Sequence, residues 1–258
     1  MTDSARETAE AVGDSPVLQW GARLGYAASG LLHLVMGWIT FEVAWGATGQ
    51  EADQTGALEN LAGTAPGRVM LWVVAAGFVL LALWQGTEAF ARHQTFDRLK
   101  AVGKLGLYGF LAFTAMQVVQ GRSSGSEDTK GMTASLMTES WGRVAVAVAG
   151  LVVVGVGAYH VLKGARRKFL EDLQEHPGTA LVRAGQIGYV AKGIALALVG
   201  GLFVAAAVTA DPEKAEGLDG ALRSLRGVPA GQVMLTVIAL GLVAYGVYSF
   251  GRARYARV

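Results

Sequence analysis

Cysteine is absent from the 258-residue chain, which excludes disulfides, iron–sulfur clusters and thiolate metal sites. Charge is scarce: 16% of residues are Asp, Glu, Lys or Arg, against about a quarter in soluble domains. With 52% hydrophobic residues, that deficit points to lipid as the solvent. The five prolines (Pro16, Pro66, Pro177, Pro212 and Pro229) all lie outside the long apolar runs. Formal net charge is only +2, and no basic run with interleaved aromatics occurs in a polar segment, so nucleic acid is not among the expected partners. Glycine is the abundant residue: 36 of them, about twice the usual share of roughly 7%. Inside apolar runs free of proline, glycine reads as close helix contact rather than as a chain break.

Six segments have the twenty or so apolar residues that a bilayer core of about 30 Å demands: 24–45, 69–90, 99–119, 144–162, 183–209 and 232–250. Residues 1–19 are polar, with no apolar signal-peptide core, so the first span is expected to stay in the mature chain. Basic residues divide unevenly between the two sides. Arg6, Arg23, Arg92, Arg98, Lys100, Lys104, Lys163, Arg166, Arg167, Lys168, Arg183, Arg252, Arg254 and Arg257 flank one side. Arg68, Arg122, Lys130, Arg143, Lys214, Arg223 and Arg226 flank the other. The positive-inside rule predicts both termini in the cytoplasm of a bacterial inner membrane.

The spans repeat. Gly25-Tyr26-Ala27-Ala28-Ser29-Gly30 returns as Gly188-Tyr189-Val190-Ala191-Lys192-Gly193, with a weaker copy over 104–110. Gly67-Arg68-Val69, Gly142-Arg143-Val144 and Gly231-Gln232-Val233 open the even-numbered spans. Trp84, Tyr159 and Tyr248 follow at one shared spacing, and Glu88, Lys163 and Arg252 four residues later. The aromatics are expected in an interfacial belt or in helix packing. The outer loops repeat Gly56-Ala57-Leu58-Glu59-Asn60-Leu61 as Gly220-Ala221-Leu222-Arg223-Ser224-Leu225, and more loosely over 132–137. Each is expected to form a short amphipathic helix on the outer interface. A period of about 80 residues repeated three times outranks any local motif. The expected fold is an all-α polytopic membrane protein, its six transmembrane helices forming three parallel two-helix repeats about a pseudo-threefold axis. The divisions are a polar tail (1–19) and repeats at 20–92, 96–168 and 179–254. Gly193, Ala197 and Gly201, and likewise Ala145 and Ala149, are expected to let backbones approach.

These openings and loops resemble a bacterial membrane family catalogued as domain of unknown function 1206. The resemblance spans almost the whole chain and implies three copies of a two-helix unit and a membrane location, but no reaction. It also implies a basic residue before the glycine of each odd span. Lys192 holds that place, with Ser29 and Tyr108 in the other copies.

Few residues suit chemistry. His33 lies near the middle of the first span, with Ser29 and Thr40 on the same stripe. Either the stripe is a proton or ligand site facing the bundle interior, or His33 is a neutral histidine bonded to Ser29 or a backbone carbonyl. Lys192 either snorkels to the headgroups or meets an anion or lipid phosphate in a cavity, and snorkelling is the expectation. Glu88, Lys163 and Arg252 occupy equivalent ends, and an inter-repeat ion pair from Glu88 to Lys163 or Arg252 is expected. His33 and His160 lie at different depths, which argues against one haem between them. No catalytic, P-loop or dinucleotide motif is present. The expectation is therefore a non-catalytic module, without cofactor or metal, that conducts or binds a small solute, ion or lipid. The alternative is a scaffold or accessory subunit of a larger envelope complex. Membrane lipids are the expected partners in either case, with another membrane protein in the second.

Overall fold

The computed structural model describes residues 16–46, 49–91, 95–121, 126–139, 141–215 and 217–257. Most of the polar tail, Arg92 and Arg122 lie outside these. The described residues form nine α-helices. The six long ones are α1 (Pro16–Trp45), α3 (Ala65–Ala91), α4 (Thr95–Val119), α6 (Gly142–Ala165), α7 (Thr179–Thr209) and α9 (Gly231–Tyr255). Each contains a stretch long and apolar enough to cross a bilayer, and the charge-poor runs leave the backbone no partner in lipid except its own helix. Three short helices join them in pairs: α2 (Gln54–Ala62), α5 (Ser126–Met137) and α8 (Gly217–Arg226). No strand occurs among the described residues. A single antiparallel bridge, Leu173 to Ala256, ties the α6–α7 connection to the C-terminal tail.

The three parallel hairpins are not the packing units. Each even span packs on the odd span of the next repeat: α3 on α4, α6 on α7, and α9 back on α1. Within repeats α1 packs on α3 and α7 on α9, but α4 and α6 make no substantial contact among the described residues. The spans thus run in the order α4–α3–α1–α9–α7–α6. Side chains of α1, α4, α7 and α9 share one core, including Leu32, Met36, Leu111, Ala115, Ala195 and Leu242. The row therefore curls on itself, and α4 and α6, its least buried spans, form two lips. The threefold order is complete in the repeats and open at one seam.

Glycine sets the closest seams. A Cβ on Gly157 or Gly193 would lie 2.6 Å from the other's carbonyl oxygen. Gly150 and Gly200 meet in the same way at 2.7 and 2.5 Å. Across α9–α1, Gly30 and Gly246 oppose each other, and Gly37 faces the Ala239 carbonyl. The α3–α4 seam has Ala82 where its counterparts have Gly157 and Gly246, and Leu105 reaches across to Gly86. Two expectations need correction. Gly201 has open space around it, and Ala149 is exposed, so the close stripe is spaced by seven residues rather than four.

Two of the three short helices are packed into the bundle rather than laid along its surface. Ala57, Leu58 and Leu222 are fully buried and join the central core, so α2 and α8 plug the outer end of the bundle. In α5, Met132 and Leu136 stay exposed. After each short helix its last leucine, Leu61, Leu136 or Leu225, turns a carbonyl against the glycine that opens the next span. A Cβ on Gly67, Gly142 or Gly231 would collide with it, which explains why glycine recurs there. The plug is latched by Asp219, 6% exposed. Its carboxylate accepts from Ala52 N at 2.8 Å and from Arg223 Nε at 2.7 Å, joining repeats 1 and 3.

Replacing Gly193 by alanine forces α6 and α7 apart, and overpacking of this kind costs about 1–3 kcal/mol. Gly201→Ala, about two turns further along, meets nothing. Thermal unfolding in detergent is expected to fall for the first and to stay at the wild-type midpoint for the second.

Candidate functional site

His33, 5% exposed, lies halfway along α1, and the other residues of the site lie between it and the end that carries the termini. His33 Nδ1 lies 2.7 Å from the Ser29 carbonyl. A carbonyl accepts only, so Nδ1 carries the proton and Nε2 presents a lone pair. Lys192 Nζ on α7 lies 3.2 Å from that lone pair and donates to it. The same ammonium sits 4.4 Å from the centre of the Tyr245 ring on α9, and His33 and Tyr245 are themselves 4.6 Å apart. Three helices of repeats 1 and 3 meet at this lysine.

Lys192 therefore does not snorkel: its stem turns inward. A lysine in mid-membrane costs about 2.5–3.5 kcal/mol on insertion scales. A cation–π contact away from water returns about 2 kcal/mol, and a charge-assisted hydrogen bond about 1.5–3 kcal/mol. Together they are of the size required, so the half-buried ammonium is held without a carboxylate. Ser29 enters through its carbonyl. Thr40 does not join, because its hydroxyl donates to Met36 O at 2.7 Å in a fully buried position two turns away. Beyond His33 the core is Leu32, Met36, Ile39, Ile238 and Leu242.

Towards the terminal end the site broadens into aromatics and cations. Tyr189 stacks on Phe169 at 5.4 Å, and Tyr245 and Tyr248 meet it edge-on at 5.2 and 5.6 Å. This edge-to-face geometry is what ring quadrupoles favour. Phe169 belongs to a short 3₁₀ turn, Lys168–Asp172, which the Leu173–Ala256 bridge folds back under α9. That turn delivers Asp172. Lys163 on α6 donates to its Oδ2 at 2.6 Å, and Arg252 on α9 lies 3.8 Å from the same oxygen. The Arg252 guanidinium also covers the Tyr26 ring at 4.2 Å. Lys163 and Arg252 are 15% and 14% exposed and Asp172 30%. Arg252 Nε is buried and has no hydrogen-bond partner among the described residues.

Burial alone would raise the Asp172 carboxyl, but Arg252 and Lys163 beside it, with Lys104 adding, hold it below the usual carboxylate range. Lys163 and Arg252 thus meet on Asp172, where the expected ion pair ran from Glu88 to one of them. Glu88 lies half-buried on α3. The aromatics at the shared spacing divide: Tyr248 is in the cluster, Trp84 packs on Tyr26 at 6.5 Å, and Tyr159 is 49% exposed. His160 donates Nδ1–H to Val156 O at 2.8 Å, its ring 5.8 Å from Tyr189. Tyr189 and Tyr245 were missed as site residues, although Tyr189 stands in the repeated opening motif. The signal for Asp172 was faint: it is one of three acids, with Glu171 and Glu175, in a basic connection.

Of the described cavities, one of about 410 Å³ runs along α6 and α7 below Arg143, and a recess of about 60 Å³ lies beside Trp72. Neither reaches His33 or Lys192.

Six apolar spans and three copies of one hairpin define an integral-membrane repeat protein. The chain belongs to the family described as Domain of Unknown Function (DUF1206), which it matches over residues 24–92, 99–167 and 187–256. It is also 26% identical over 253 residues to the uncharacterized protein YxxB of Bacillus subtilis (strain 168), covering 93% of this chain and 92% of that one. No solved structure matches it. Counted from the start of each matched stretch, the sixth residue is Ser29, Lys104 and Lys192. This corrects the alignment that put Tyr108 in the basic position: repeats 2 and 3 both carry a lysine there.

Because its carboxyl is held low, Asp172 adds stability that is complete above the ordinary carboxylate range and is lost as pH falls through it. Asp172→Asn is expected to lower the thermal midpoint near neutral pH, by the equivalent of about 2 kcal/mol for a lost charged hydrogen bond. It is also expected to flatten the fall in midpoint between about pH 6 and pH 3. A wild-type acid limb left intact in the variant would sink that assignment.

Proposed function

We propose that the protein is a non-catalytic membrane module that binds an anion in the terminal half of its bundle. The observation that carries this is the sharing of one carboxylate by two largely buried cations, Lys163 and Arg252, with an Arg252 Nε that has no hydrogen-bond partner among the described residues. Buried guanidinium donors are ordinarily satisfied, and an unmatched positive site among tyrosine hydroxyls and ring edges is chemically suited to a phosphate or carboxylate. Binding is favoured over conduction, because beyond His33 and Lys192 the core is built of side chains such as Leu32, Met36, Ile39 and Leu242, and the buried Thr40 hydroxyl among them is turned back on the Met36 carbonyl. In this reading the protein sits in a bacterial inner membrane with its binding end in the cytoplasm, supported by the excess of Lys and Arg on that side.

The test is the thermal midpoint of the purified protein titrated with inorganic phosphate and, separately, with an anionic phospholipid, at fixed ionic strength. At about a hundred times its Kd a ligand of the folded state adds about 2.7 kcal/mol. Wild type is expected to be stabilised by at least one of the two, and Arg252→Gln to lose the ligand-dependent shift whatever its own midpoint. Wild type indifferent to both would end the proposal.

A further inference from the structure

Five of the six neighbouring pairs of spans are packed, and among the described residues the sixth, α4 and α6, makes no substantial contact. In a membrane-spanning bundle such a seam faces acyl chains. Its lips are basic at the terminal end, with Lys104 on α4 and Lys163 on α6. The Lys104 charge reaches Asp172 across the mouth and helps to lower its carboxyl. Further from that end the two helices carry exposed apolar side chains: Leu107, Phe110 and Phe113 on α4, and Val152 and Val156 on α6. Cation at the headgroup level and hydrocarbon beyond it is the order of charge and apolarity along a phospholipid.

We infer that the anion of the proposed function is a phospholipid headgroup, entering laterally between α4 and α6 to bring its phosphate to Lys163 and Arg252. This rests on the anion-binding reading and gives it a source. A free anion has no use for a lateral opening, and its acyl-chain surroundings would exclude it. A second copy of the chain is disfavoured as occupant, since it would set its own Lys104 and Lys163 against these. A lipid instead supplies the opposite charge at the basic lips and apolar surface against the rest.

The experiment uses delipidated full-length protein and native mass spectrometry with phosphatidylglycerol or phosphatidylcholine of identical chains, beside thermal unfolding with inorganic phosphate. Wild type is expected to retain phosphatidylglycerol over phosphatidylcholine. Lys163→Gln and Lys104→Gln are each expected to weaken that retention about tenfold, the scale of one charge-assisted contact. Lys104 is exposed and makes no part of the Lys163–Asp172 hydrogen bond, so its variant is expected to fold and to remain informative if Lys163→Gln does not. Unchanged retention in Lys104→Gln overturns lateral entry. An Arg252-dependent response to phosphate with no preference between the lipids overturns the lipid inference and leaves the anion reading standing. No response to any of the three ligands overturns both.

Discussion

Helices surrounded by lipid gain nothing by hiding apolar surface from their solvent, so their association depends on how closely the backbones come. In this chain that distance is set by glycines facing carbonyl oxygens: Gly157 with Gly193, Gly150 with Gly200, Gly30 with Gly246. Each apposition brings two backbones into van der Waals contact along a turn, and many small dispersion gains accumulate there. All three join an even span to the odd span of another repeat. The hairpin repeated in sequence is thus not the unit held together in space. What joins one repeat to the next is the seam, and the short helices α2 and α8 close the outer end over it.

A second constraint follows from placing charge in such a bundle. Among the described residues Lys192 meets a histidine lone pair and a tyrosine face, contacts that need no second buried ion to desolvate. Nearer the terminal end, where water is closer, Lys163 and Arg252 share Asp172 and the rings of Tyr189 and Tyr26. The aromatic rings do for these cations what carboxylates do in a soluble protein, and they leave positive charge only partly neutralised. That is a costly arrangement for stability alone, which is why a ligand is the economical explanation of it.

Much of the architecture was legible because it repeats. Six apolar runs, the Gly67, Gly142 and Gly231 starts and the Leu61 and Leu225 loop helices all carry a period that single motifs cannot counterfeit. The partner of each face was less legible. Residues four apart drift around a helix, while a seven-residue step drifts only about 20°. Gly193 and Gly200 therefore share the seam that Gly201 leaves. The direction of Lys192 depended on Tyr245, more than fifty positions away and with no motif to mark it. Asp172 depended on a backbone bridge to Ala256 that no side-chain pattern encodes. In the middle repeat a shifted register hid Lys104 behind Tyr108.

That middle repeat shows how the pieces fit. It has Ala82 across its seam where the others have glycine, a leucine at Leu105, and a loop helix whose Met132 and Leu136 face outward. These departures fall in the repeat whose own two spans, α4 and α6, make no substantial contact among the described residues. The same repeat supplies Lys104, Tyr108 and Lys163 to the basic end. Departures from a repeated design tend to gather where function overrides packing. In the proposed reading, an unpaired seam with lysines beside it in one repeat is what a lipid headgroup would use.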